Sequence, residues 1–234
     1  MMENNQKQKQ NQTAAIQIAI DGPAGAGKST VAKAVASRLG FTYLDTGAMY
    51  RAVGLKALRQ GIPTQDEGAV SAMAEGTDVS VLVENGMQTV LLDGEDVTAL
   101  IRTPEVSRAA SDVSQWPAVR RRLVALQQAI AGRRCVVMDG RDIGTHVLPQ
   151  AQHKFFVTAS VEARAQRRLL ELQGRGSCKS LEECMRDIEE RDLQDSSRAA
   201  SPLRVAEGAE VIDTTQLTAE QAVDLVIRRV RQGQ

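Results

Sequence analysis

The chain holds 234 residues, and its 29 Lys and Arg balance 29 Asp and Glu to a formal net charge of zero. That balance excludes a broad electrostatic grip on nucleic acid or anionic lipid, and an aromatic share of 3% excludes a stacking platform for single strands. A hydrophobic share of 42% over this length fills the core of one α/β domain with inserts. Cys135, Cys178 and Cys184 form no C-x-x-C pair and no complete disulfide framework, so free thiols in a reducing compartment are expected. Residues 1–14 read as a disordered polar tail with no apolar leader region, and no apolar run approaches the ~18 residues of a membrane span. A cytoplasmic protein, with neither nucleic acid nor membrane as partner, is the expectation.

The first structured segment is the β-rich run Ile16 to Asp21, which enters GPAGAGKST at Gly22. Val31, Val35 and Leu39 then fall on one helical face, with Gly40 as the stop signal. Phe41 to Asp45 reads as a second strand, and Thr46 as the cap of a helix carrying Met49, Val53 and Leu58. Residues 63–102 change character. Val79, Val81 and Val83 alternate with other residues, Asn85-Gly86 signals a hairpin, and Val90 and Leu92 continue beyond it.

Thr103-Pro104 and Pro117 open two helices, the second ending at Gly132. Cys135 to Asp139 is an apolar strand ending in a carboxylate, and His153 to Thr158 is the next strand. Residues 160–172 are helical, Gly174 and Gly176 interrupt, and Ser180 to Glu183 is a capping box for another helix. Val211 to Asp213 is a last strand, and Thr218 to Gln221 caps the final helix. Strands alternating with helices imply a parallel sheet covered on both faces.

Gly22, Pro23, Ala24, Gly25, Ala26, Gly27, Lys28 and Ser29 satisfy G-x-x-x-x-G-K-[ST], with an apolar strand before and a helix after. Small residues let the backbone curl so that successive N–H groups face one phosphate, and the following helix adds its positive end. Lys28 reaches the outer phosphates. Ser29 and Thr30 both offer a hydroxyl to Mg²⁺, and the motif does not choose between them. Asp139 reads either as a strand-end turn residue or, through water, as part of the Mg²⁺ shell.

A guanine-binding switch would need N-K-x-D, yet none of the seven lysines is followed two residues later by Asp. Arginines collect at the strand exits instead: Arg51 after Asp45, and Arg141 beside Asp142. Arg191, Asp195 and Arg198 recur at helical spacing, which suits either a solvated ladder or a cationic grip on phosphates. Transfer of a γ-phosphoryl group between two anions favours the grip, because fixed guanidinium forks neutralise the charge and align the partners.

The segments LDTGAMYRA, GEDVT-x-x-IRTPEVS, Trp116-Pro-x-Val-Arg120, DGRDIGT and ERD-x-x-D-x-x-R, in this order, resemble the bacterial cytidylate kinases over residues 15–232. The resemblance implies the nucleoside-monophosphate-kinase architecture: a P-loop three-layer α/β/α fold on a five-stranded parallel sheet, with a small antiparallel β-containing insert for the monophosphate and a helical lid. On it, residues 15–62, 103–158 and 200–234 form the core, 63–102 the insert and 159–199 the arginine-rich lid. It also implies transfer from ATP·Mg²⁺ to CMP or dCMP by a monomer.

By motif, Gly22 to Thr30 bind ATP, and Thr46 and Arg51 hold the monophosphate. Ser111, Arg120 and Asp142 face cytosine. Arg141 and Arg191 bind phosphate, Asp195 takes the sugar with Arg198 nearby, and Arg168 is a lid arginine over the transferring group. Lys28, Arg141, Arg168 and Arg191 are the expected catalytic set. Asp45 stands either as a partner of Mg²⁺ or as a substrate contact. Other P-loop kinases, for UMP, AMP or shikimate, and a non-transferring switch are the alternatives.

Overall fold

The computed structural model describes residues 15–84, 86–174 and 179–233. Strand β1 (Gln17–Asp21) runs into the phosphate loop and helix α1 (Lys28–Leu39). Gly22 is obligatory at that junction. Its φ is +144°, and a Cβ there would lie 1.9 Å from the carbonyl oxygen of Val157. Gly40 closes α1 in the left-handed conformation, returning its N–H to the carbonyls of Ala36 and Ser37.

Strand β2 (Thr42–Asp45) leads to α2 (Thr46–Arg59). Asp45, not the expected Thr46, caps this helix: its carboxylate accepts from the Ala48 N–H at 3.0 Å. An anion at a helix start gains from the dipole as well as from the hydrogen bond, which favours Asp over the neighbouring Thr. The Thr46 hydroxyl instead donates to the Asp139 carbonyl at 2.7 Å, joining α2 to the sheet.

Residues 63–102 contain a helix besides the expected strands. Helix α3 (Glu67–Glu75) is capped by Asp66 and buries Val70, Met73 and Ala74. Strands β3 (Val79–Glu84) and β4 (Met87–Leu92) pair antiparallel, and β5 (Glu95–Asp96) adds a third. Gly86 sits at φ +74° in the turn; Asn85 lies outside the described residues.

Helix α4 (Pro104–Val113) begins at the Thr103 cap, and α5 (Pro117–Ala131) at Pro117. Strand β6 (Val136–Gly140) is followed by one π-helical turn, Ile143–Val147. The remaining elements are β7 (His153–Thr158), α6 (Val161–Gln173), α7 (Leu181–Ser197), β8 (Glu210–Asp213) and α8 (Ala219–Gln232). Both expected capping boxes form, at Ser180 with Glu183 and at Thr218 with Gln221. Helix α7 ends at Ser197, so Arg198 has extended backbone and does not continue the helical face of Arg191 and Asp195. Cys135 precedes β6 and is half-buried, its Sγ accepting from the Ile16 N–H at 3.3 Å. The tail, Gly176 and Cys178 lie outside the described residues.

The five-stranded sheet has the order β2-β6-β1-β7-β8, with every pair parallel. Alternation sends Ile18 and Ile20 of β1 into the cluster with α1 and α8, and Ala19 to the opposite face with Leu44, Met138 and Val147. Val70, Val79, Val90 and Leu92 of the insert share a buried cluster with Met49 and Val53 of α2, Val106 of α4 and Leu123 of α5. Ala165, Leu172, Cys184 and Ile188 join α6 to α7. No helix among the described residues is long and apolar enough to cross a membrane.

Candidate active site

Parallel register brings Asp21 opposite Gly140, and Asp45 opposite Asp139, so the strand exits deliver carboxylates to the same end of the sheet as the phosphate loop. Asp139 is buried. Its Oδ2 accepts from the Ser29 hydroxyl at 2.6 Å and its Oδ1 from the Tyr43 hydroxyl at 2.9 Å. Burial, aided by the charge of Asp45, pushes its carboxyl up to about 6, against the pull of the Ser29 hydrogen bond. Lys28 is also buried and donates to the Pro23 carbonyl at 2.6 Å across its own loop. Burial, then the charge of Arg141, holds the ammonium well below the ordinary lysine range.

A chain of guanidinium and carboxylate groups continues from there. Arg141 Nε donates to Asp195 Oδ2 at 2.7 Å. Burial disfavours the Arg141 cation, but the charge and hydrogen bond of Asp195 outweigh it and raise its pKa. Asp195 responds in kind: burial pushes its carboxyl up, and Arg141 and Arg191 bring it below the ordinary range. Arg191 is pushed down to about 10 by burial and by Arg141, and its buried Nε has no hydrogen-bond partner among the described residues. Arg198 lies 3.9 Å from both Asp142 and Asp195 and donates from Nε to the Ser201 carbonyl at 2.6 Å. It and Asp195 are buried, which excludes the solvated ladder.

Asp142 and Arg120 form a buried hydrogen-bonded ion pair. Arg120 Nη1 also donates to the Ser114 carbonyl at 3.2 Å, and its guanidinium lies over the Tyr50 ring, 5.6 Å from the centroid. The Ser111 hydroxyl donates to Gln194 Oε1 of α7 at 2.8 Å, tying α4 to that helix. Arg51 pairs with Asp45 at 3.5 Å. Arg168 is half-exposed and paired with Glu171 at 2.8 Å; it acts on Arg191 only through its charge. Thr30 is exposed and borders a cleft of about 140 Å³ with Gly27, Arg167, Thr214 and Leu217. A larger surface cavity, about 360 Å³, lies against Glu75, Arg121 and Arg122 and contains none of the expected site residues.

Several residues that build this site carried no assigned role in the sequence. Tyr43 anchors Asp139 from the adjacent strand. Arg164 is buried and donates to the Ala24 carbonyl of the phosphate loop at 3.2 Å and to Asp192 of α7 at 2.6 Å, joining the loop to the helical pair. Gln88 of β4 pairs both amide ends with the backbone of Asp45, accepting from its N–H at 2.7 Å and donating to its carbonyl at 3.1 Å. Asp21 binds the turn after Asp142. Each contact joins segments distant in sequence, so spacing carries no trace of it.

The protein-family model described as cytidylate kinase matches residues 18–232. A protein named cytidylate kinase from Caldicellulosiruptor bescii is 52% identical over 212 residues, covering 91% of this chain and 94% of its own length. Another of that name, from Caldanaerobacter subterraneus subsp. tengcongensis, is 54% identical over 218 residues, covering 93% and 96%. Among solved structures, an uncharacterized protein from Eubacterium ventriosum shares the fold at a TM-score of 0.50 and 11% identity, covering 92% of this chain and 98% of that one.

Proposed function

This chain belongs to the cytidylate kinase family, and from that premise we propose that it transfers the γ-phosphoryl group of ATP to CMP or dCMP, giving ADP and CDP or dCDP. The observation that carries this reading is the set of mutually repelling cations, Lys28, Arg141 and Arg191, gathered beside the phosphate loop. Such a set is costly in an empty pocket, and two bound nucleotides supply the missing negative charge.

In this reading Gly22 to Thr30 cradle the ATP phosphates, and Lys28 moves from Pro23 to the outer phosphate oxygens. Thr46 and Arg51 hold the acceptor phosphate, Arg141 and Arg191 flank the transferring group, and Arg168 reaches it when the lid closes. Asp195 and Arg198 take the sugar. Ser111, Arg120 and Asp142 read the base, Asp142 accepting from the cytosine amino group. Uracil presents a carbonyl at that point, leaving a buried carboxylate facing a like partner, which rejects it strongly. Residues 63–102 act as the monophosphate insert, 159–199 as the lid and the rest of the described chain as the core.

An oxygen of the acceptor phosphate attacks the γ-phosphorus while the bond to the β,γ-bridging oxygen breaks. That acceptor is already anionic, so no general base is needed; His146, bonded to Thr145, and His153 are left to structural roles. The donor set suits Mg²⁺: the buried Asp139 carboxylate faces the Ser29 hydroxyl, and Lys28 acts on it through its charge without a direct ion pair. The Ser29 hydroxyl and, through water, Asp139 would hold it; when bound, it neutralises charge on the outer phosphates. Both side chains are exposed, and the bond of its hydroxyl to Asp139 favours Ser29 over Thr30. Free Cys135 and Cys184 suit a reducing, cytoplasmic setting, and the proposed form is a monomer acting on small nucleotides.

The test is ADP release in a coupled assay with ATP, Mg²⁺ and each of CMP, dCMP, UMP, AMP and shikimate. Rapid turnover with the cytidine nucleotides is expected. Slow ATP consumption indifferent to every acceptor would overturn the proposal.

A further inference from the structure

Asp21 ends β1, is buried, and has no part in the chemistry above. Both of its carboxylate oxygens serve one short segment: Oδ1 accepts from the Ile143 N–H at 2.8 Å, and Oδ2 from the Gly144 N–H at 2.7 Å. These two groups open the π-helical turn Ile143–Val147, where helical donors have no intrahelical acceptor. Asp142, which immediately precedes the turn, makes no side-chain cap; its carboxylate is held by Arg120. The cap comes instead from 122 residues earlier in the chain.

That arrangement is expensive. Burial pushes the Asp21 carboxyl up to about 6, and the two backbone bonds and Lys28 recover only part of the cost against the added repulsion of Asp142. A neutral residue would carry less of that cost. What an ionised carboxylate alone provides is two acceptors in a fixed fork, gripping successive amides beside the Arg120–Asp142 pair.

We infer that Asp21 is a positioning residue for base selection: its two-pronged hold on the Ile143 and Gly144 amides fixes the backbone from which Asp142 presents its carboxylate to the acceptor base. The inference rests on the cytidylate kinase reading. It assigns to the strand that feeds the phosphate loop a second task at the opposite substrate.

The experiment measures kcat and KM for CMP, UMP and ATP, with melting temperatures, in the full chain and in Asp21→Asn. The amide keeps one bond and turns its NH₂ toward the other N–H, so the turn shifts. The ratio of kcat/KM for CMP over UMP is expected to fall about tenfold, carried by KM for CMP, with KM for ATP within about twofold. Gly144→Ala moves the same amide without altering Asp21, since its Cβ would lie 3.0 Å from Ala206 Cβ and 3.4 Å from Asp21 Oδ2. It should shift the ratio in the same direction, and it decides the matter alone if Asp21→Asn does not fold. An unchanged ratio, even with lower melting temperature or lower rates for all substrates, would reduce Asp21 to a structural role. A parent chain inactive toward CMP defeats the underlying reading as well; an active, selective parent beside variants of unchanged ratio defeats this inference alone.

Discussion

Asp139→Asn exchanges a buried carboxyl held near 6, against an ordinary 3.8, for a neutral amide of the same shape. A group whose folded pKa is raised gives its full stability below about 4 and loses it as pH rises through about 6. The gap of about 2 units, at ~1.4 kcal/mol each, burdens the parent by ~3 kcal/mol above pH 7. Asn escapes that burden but can accept from only one of the Ser29 and Tyr43 hydroxyls, a loss of about 1 kcal/mol. The variant should therefore be ~2 kcal/mol more stable than the parent at pH 8, a gain of ~4–8 °C in Tm for a chain of this size. At pH 4 the order should reverse by ~1 kcal/mol. Removing the anion proposed to support Mg²⁺ should meanwhile lower kcat by about 10²-fold or more. Urea unfolding at both pH values and turnover across a Mg²⁺ titration measure the two effects. A variant less stable than the parent at pH 8, or a difference indifferent to pH, would refute the reasoning.

Lys28→Ala should lower kcat by about 10³-fold while leaving circular dichroism intact, and normal turnover would remove Lys28 from the reaction. Asp142→Ala should erode CMP-over-UMP discrimination by at least about tenfold and weaken ATP binding far less. Equal losses for both monophosphates would count against its role at the base. Gly22→Ala should fail to fold or lose more than ~4 kcal/mol, because the new methyl would overlap the Val157 carbonyl at 1.9 Å; soluble expression and a melting curve decide it.

What could be read from the amino acids followed locality. The phosphate loop, the caps at Thr103, Ser180 and Thr218, and the stop at Gly40 each depend on a few adjacent residues, and each forms. The same local logic missed where two candidates competed: Asp45 outbid Thr46 because charge adds to hydrogen bonding at a helix start. Helix α3 was legible in Asp66, Val70, Met73 and Ala74 but was masked by the stronger strand alternation after it. Arg164 shows the other limit. Its spacing with Arg167 and Arg168 suggests one solvent-facing or lid-facing group, yet the fold buries it against Ala24 and Asp192. Arg198 leaves the helix that spacing assigned it to and still comes within 3.9 Å of Asp195, because the chain turn after Ser197 carries it there.

The amide of Gln88 has an effect beyond the nucleotide pocket. Strand β2 stands at the border of an open sheet, and such borders recruit strands from other molecules. A carboxamide offers an acceptor and a donor much as a peptide unit does, so at Asp45 this side chain imitates one residue of a missing neighbour strand. Excising residues 63–102 would thus do more than empty part of a binding cleft: it would also bare the Asp45 backbone at the sheet's border, together with the apolar faces of α2, α4 and α5 that the insert covers.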